Sequence, residues 1–323
     1  MKRRDFIRLL AGLAAVAPLP ASAEQAGKSV TIGILATEAL PPIDTFRHAL
    51  NDLGFIEGNN VRFEHRYAHG RNERFPELAS SLVDLKVDAI LTWGTEAALA
   101  AKNATSTIPI VMGAIGDPLG SGIVSSLARP GANVTGFSSL AAELEAKRLE
   151  LLKQVVPALS RVAVISNPTN RYMIPALESA RQGADMLHLS FNQYDVGDAA
   201  TLDAVFEKLE KDRSDAFLVP ADPFLVSQRN RIAEFAIKNK LPSVYTFREH
   251  VEAGGLIAYT PNYHDLFRRA AGYVDKILKG TKPGDLPIEQ PRKFDLVINL
   301  KTAAALGLAM PVILQRTADE VIE

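Results

Sequence analysis

Short apolar runs rich in β-branched residues recur along almost the whole chain. Each is stopped by glycine, proline or a polar residue and followed by a stretch of helical period. This alternation is the strongest constraint on the fold, because strand–helix–strand units pack as a parallel sheet with helices on both faces. Residues 29–36 (SVTIGILA) read as a buried strand, 43–53 as a helix ended by Gly54, and 61–67 as a second strand. Residues 76–85 place Leu78, Leu82 and Leu85 on one helical face. Residues 88–93 (DAILTW) form a third strand that stops at Gly94-Thr95, and Thr95 takes the N-cap position of an alanine-rich helix. Residues 108–112 and 134–137 supply the fourth and fifth strands. The stretch joining them, VMGAIGDPLGSGIVSSLARPGANVTGFS (111–138), reads as strand, glycine-rich turn, a helix-like segment and strand again. Glycine lets a backbone turn sharply and approach a ligand, and parallel sheets bind small molecules at the carboxyl ends of their strands.

The alternation then restarts. Residues 144–156 read as a helix, 161–166 (RVAVIS) as a strand, 172–183 as a helix and 187–194 as a strand. A helix over 199–210 capped by Asp198, a strand over 215–219, a helix over 226–239 and a short strand at 243–245 follow. The last part differs. A strand at 256–260 leads into a long amphipathic helix over 263–279, then a proline-bearing connector, one more strand at 294–300 and two short helical stretches. The fold class is therefore α/β, with two doubly wound parallel-sheet lobes. Spare elements at the end of the chain predict that it crosses between the lobes more than once, which makes a hinge.

Composition narrows the function. The chain opens with basic residues, an apolar stretch over 9–20 and Ala21-Ser22-Ala23, the pattern of a cleavable export signal over residues 1–23. Arg3-Arg4 ahead of Asp5-Phe6-Ile7-Arg8 resembles a twin-arginine signal. Removing Lys2, Arg3, Arg4, Arg8 and Asp5 from 36 basic and 37 acidic residues leaves a balance of −4, no footprint for nucleic acid. There is no cysteine, hence no disulfide, no thiol nucleophile and no lipid anchor at the signal junction. The expected location is the periplasm.

No nucleotide-binding or hydrolase motif is present, and His65 and His69, at a strand end, lack the neighbours of a zinc site. No cofactor, metal or catalytic residue is expected. What stands out is a set of residues at strand ends: Thr37 with Glu38, Trp93, Gly94, Thr95, Gly116, Asp117 and Ser138 in the first run, and Asn167, Asp222 and Tyr245 with Arg248 in the second. Helix N-termini at these edges offer N–H groups to a carboxylate. Asp117 and Asp222 are candidates for an ammonium group, and Trp93 and Tyr245 for stacking. Each has a plainer reading. Asp117 and Asp222, each before a proline, open a turn and cap the next helix; Trp93 is core; Arg248 pairs with Glu249 on the surface.

The segments GDPLGSGIVSSLARPGANVTGF, KRLELLKQVVP, REHVEAGGLIAYTPNYHDLFRRAAGYVDKILKGTKPGDLPIEQPRKFDLVINLKTAAALGL and the terminal ADEVIE resemble the TrpX-like group of ABC-transporter substrate-binding proteins. The resemblance implies a type I periplasmic binding protein, two lobes joined by three crossovers and closing on a small solute. Characterised relatives of that group bind aromatic amino acids. It also implies delivery to an ABC permease in the inner membrane, whose ATPase drives transport. We expect lobe one to comprise residues 28–137 with 259–285, lobe two 138–258 with 286–323, and the protein to be a monomer. The solute is expected between Thr95 and Gly116–Asp117 on one side and Asn167 and Asp222 on the other. Two other functions share the architecture: the sensing core of a regulator, which needs a DNA-binding segment before the first lobe, and an enzyme, which needs a nucleophile–base pair or cofactor loop.

Overall fold

The computed structural model describes residues 29–139 and 141–323; the expected export signal lies outside them. The first run is β1 (Val30–Ala36), α1 (Pro41–Asp52), β2 (Val61–Tyr67), α2 (Phe75–Asp84), β3 (Ala89–Trp93), α3 (Thr95–Ala104), β4 (Ile110–Ile115) and β5 (Val134–Ser138). The second is α4 (Glu145–Val155), β6 (Arg161–Ser166), α5 (Met173–Met186), β7 (Ser190–Asp195), α6 (Ala199–Asp212), β8 (Ala216–Val219), α7 (Pro223–Ser227), α8 (Arg229–Lys238), β9 (Ser243–Tyr245), α9 (Arg248–Glu252) and β10 (Ile257–Pro261). Then come α10 (Tyr263–Leu278), β11 (Phe294–Asn299), α11 (Leu300–Leu306), α12 (Val312–Thr317) and β12 (Glu320–Ile322).

Two sheets result. One has the order β2-β1-β3-β4-β5, all parallel; the other runs β12-β11-β10-β9-β8-β6-β7. The second is not wholly parallel as expected, because β11 runs antiparallel to β10. Alternate side chains along each strand feed opposite faces. On β1, Ile32 and Ile34 join one core and Leu35 the other. On β6, Val162 and Val164 part from Ala163 and Ile165 in the same way. Each sheet is thus buried on both sides, which explains why its strands read as continuous apolar runs.

The segment between β4 and β5 is not helical. Residues 116–133 run as turns, held by the Asp117 carboxylate, which accepts from the amides of Leu119 (3.0 Å) and Gly120 (2.8 Å). The long late helix α10 covers that part of the first sheet instead. Phe267 lies against Gly113 of β4, where a Cβ would come within 2.6 Å of its ring. Burying this ring contributes about 2–3 kcal/mol.

Three adjacent strips connect the lobes. The first leaves Ser138, whose amide donates to Glu289 O at 2.9 Å. The second is Pro261-Asn262, and the third is residues 289–293; Asn262 N donates to Lys293 O at 3.0 Å. The expected boundaries shift accordingly. Residues 259–261 belong to β10 of the second sheet, held by antiparallel pairing with β11, while Leu286 and Ile288 pack into the first lobe and Glu289 bridges Phe137.

Candidate functional site

The carboxyl edges of the two sheets face each other across a cleft. In the first sheet the chain leaves β1 toward β2 and β3 on opposite sides, so the ends of β1 and β3 flank a topological switch point. Thr37 and Glu38 follow β1, Trp93 ends β3, and Gly94, Thr95 and Glu96 follow it; all line the cleft. Gly116, after β4, lines it too. Opposite stand Asn170 and Tyr172 after β6, Ala221 and Pro223 after β8, and Phe247 after β9. Ser139 and Tyr263, beside the crossovers, form the back.

Helix α3 begins differently from expectation. Gly94, not Thr95, is its N-cap, at φ 95° and ψ 152°, and no side chain caps the helix. That backbone is open almost only to glycine. Thr95 is the first helical residue, so the unpaired amides of the first turn open onto the cleft beside the bare glycine. Thr37, 6% exposed, has a hydroxyl without a hydrogen-bond partner, and Asn72 Oδ1 is likewise buried and unpartnered. Both residues line the cleft. The wall nearby is aromatic. The Trp93 ring meets Phe267 edge-on at 4.9 Å and lies 5.6 Å from Tyr263, which lies 5.5 Å from Phe247. Trp93 is therefore both core and wall.

Two carboxylates on the first lobe reach the second across the mouth. Glu38 lies 3.8 Å from the Arg229 guanidinium, and Glu96 Oε1 accepts from the Arg171 amide at 3.4 Å.

Of the residues expected from sequence, Thr37, Glu38, Trp93, Gly94, Thr95 and Gly116 come together here; six do not line the cleft. Asp117 turns onto its own loop. Ser138 is 2% exposed and donates to Gly116 O at 3.5 Å, leaving Ser139 at the surface of the cleft. Asp222 is fully buried and caps α7, accepting from Leu225 N (2.8 Å), Asn167 Nδ2 (3.1 Å) and Asn170 Nδ2 (2.9 Å). Burial outweighs these bonds and raises its carboxyl above the ordinary value. Asn167 is spent on the same network, accepting from Thr169 at Oδ1. Tyr245 is wholly buried in the second core, stacked on His250 at 4.6 Å, and burial pushes its phenol up. Arg248 pairs with Glu252 and Glu320 rather than Glu249.

The lining residues missed from sequence, Asn72, Asn170, Tyr172, Phe247 and Tyr263, sit a few positions beyond a strand end or at the first turn of a helix. The cleft is thus lined by whole strand-to-helix loops and not by their first residues alone.

Known proteins place this geometry. A tyrosine-binding protein of Clostridioides difficile is 29% identical over 286 residues, covering 87% of this chain and 82% of that one. The crystal structure of an ABC domain in complex with L-Trp from Streptococcus pneumonia superposes with a TM-score of 0.84 at 25% identity, covering 91% of this chain and all of that one. The ligand-free, open structure of a substrate binding protein with adhesive properties from Clostridium difficile gives 0.66 at 26% identity, with 91% and 99% covered. Residues 35–322 match the family described as ABC transporter substrate binding protein, and the chain belongs to that family.

Proposed function

We propose that this solute-binding receptor takes a zwitterionic amino acid with an aromatic side chain. The observation that carries the reading is the buried, unpartnered Thr37 hydroxyl beside the glycine-capped start of α3, within an aromatic wall. The α3 amides suit a carboxylate. Thr37, Asn72 Oδ1 and the Glu38 carboxylate suit an ammonium group, and Trp93, Tyr172, Phe247 and Tyr263 suit an apolar ring. Two relatives support this, one named for tyrosine binding and one holding L-Trp. The higher TM-score to the L-Trp complex than to the open relative fits a closed cleft.

The same reading makes residues 1–23 an export signal of twin-arginine type and the periplasm the workplace. There the protein acts as a monomer and presents its closed form to an inner-membrane ABC permease. The ligand leaves unchanged, with no bond made or broken.

A thermal-shift and calorimetry panel tests the ligand: L-tyrosine, L-tryptophan, L-phenylalanine, tyramine, L-arginine and D-arabinose. The aromatic amino acids should stabilise the protein by about 2.7 kcal/mol at a hundredfold excess over Kd. Tyramine, which lacks the carboxylate, should not. Stabilisation by tyramine or D-arabinose alone would overturn the reading.

A further inference from the structure

We propose that Gly116 and Tyr172 form the closing contact of the cleft, with the buried Glu145–Arg148 pair as its positioning device. Gly116 directly follows β4 in the first lobe and Tyr172 precedes α5 in the second. The Tyr172 ring lies on the bare Gly116 backbone. A Cβ at that position would stand 2.1 Å from Tyr172 Cδ2 and 2.5 Å from Cε2. The backbone of Gly116 is not left-handed, so glycine is needed there for space and not for conformation.

The ring cannot swing aside cheaply, because it is held at both ends. Its hydroxyl donates to Glu145 Oε1 at 3.1 Å. Glu145 and Arg148 are both fully buried, 2.8 Å apart, and Thr246 Oγ1 donates to the same carboxylate oxygen at 3.4 Å. Arg148 Nε donates to Tyr259 O at 2.8 Å, on β10, the strand that enters the second crossover. One carboxylate therefore ties the start of α4, the start of α5 and, through Arg148, the hinge strand. A buried pair of this kind adds little net stability but fixes geometry. Here the geometry fixed is that of an aromatic ring of the second lobe seated on the first lobe's backbone just after β4.

Gly113, within β4, is different in kind. A Cβ on Gly113 would strike Phe267 of α10, a partner within the same lobe, so alanine there harms open and closed forms alike. Alanine at Gly116 harms only the closed form.

The test needs no ligand. The chain has no cysteine, so cysteines introduced for Glu38 and Arg229, which face each other across the mouth, give a single pair for a short bismaleimide cross-linker. In this background Gly116→Ala should leave the melting temperature unchanged and slow cross-linking by about tenfold or more. Tyr172→Ala added to Gly116→Ala should restore the rate. Tyr172→Phe, which frees the ring from Glu145, should restore it in part, a response that a general loss of packing would not give. An unchanged rate in Gly116→Ala overturns the proposal. So does a penalty that persists with Tyr172→Ala, or a parent pair that never cross-links. None of these outcomes depends on which amino acid binds.

Discussion

Asn170 donates its side-chain amide to the Asp222 carboxylate across 2.9 Å, so Asn170 faces the cleft and Asp222 lies behind it. The strand-end acid is a structural cap. Asp222→Ala removes the α7 cap, worth about 1 kcal/mol, leaves the buried Asn167 amide unsatisfied at about 1–3 kcal/mol, and takes from Asn170 its shorter bond. Urea unfolding should show a loss of several kcal/mol. From sequence alone Asp222 reads equally as a ligand contact or a helix cap, and its replacement as a change in affinity with stability intact. A variant as stable as the parent would return Asp222 to that role.

Trp93 is the single tryptophan of the chain and lines the cleft. Its fluorescence should therefore change saturably as L-phenylalanine is added, with the same Kd that calorimetry gives. Flat emission during calorimetrically proven binding would put the ligand elsewhere.

His250 is fully buried against Tyr245, and burial depresses its imidazole to about 3 from an ordinary 6.5. The depressed value means that its contribution is complete above pH 6.5 and is lost as pH falls toward 3. Between pH 6.5 and 5 the loss is roughly 2 kcal/mol. His250→Phe keeps the stacked ring and should flatten this part of the curve. Glu145, Asp222 and Glu249, whose carboxyls burial raises, act in the opposite direction but are common to both proteins and cancel in the difference. Parallel curves for the two proteins in chemical denaturation at pH 5 and 7 would refute the assignment.

Gly94→Ala places a side chain at φ 95° and ψ 152° where α3 begins. The strain costs about 1–3 kcal/mol, or else the first turn moves. Either outcome should weaken binding of L-tyrosine in calorimetry, since the amides of that turn are the carboxylate's seat in the proposed site. Parental stability together with parental affinity would show that neither happens.

Much of the fold was legible because sheets buried on both faces write continuous apolar runs into the chain. Ile32, Ile34 and Leu35 on β1, and residues 162–165 on β6, carried that signal. The segment after Gly116 misled because its apolar residues suggested helical packing, whereas Ile123 and Val124 are buried from a turn-rich loop. The cover it was expected to give comes from Phe267, far along the sequence, and no local pattern announces such a contact. Tyr245 misled for a related reason. It does end a strand, but its ring is drawn onto His250 and away from the edge. Among the strand-end polar residues, Thr37 kept a free hydroxyl while Asp117 and Asp222 were taken by nearby amides, a distinction that only three-dimensional partners reveal.

Leu266, Phe267 and Ala270 of α10 complete the interior of the first lobe, although more than a hundred residues of the second precede them in the chain. During synthesis, the half begun first must wait for this late helix before its apolar surface is covered. The second half waits in turn for β11 and β12. Neither half is a contiguous piece that can be cut out and expected to stand alone, so neither can mature before the late elements that close it have left the ribosome.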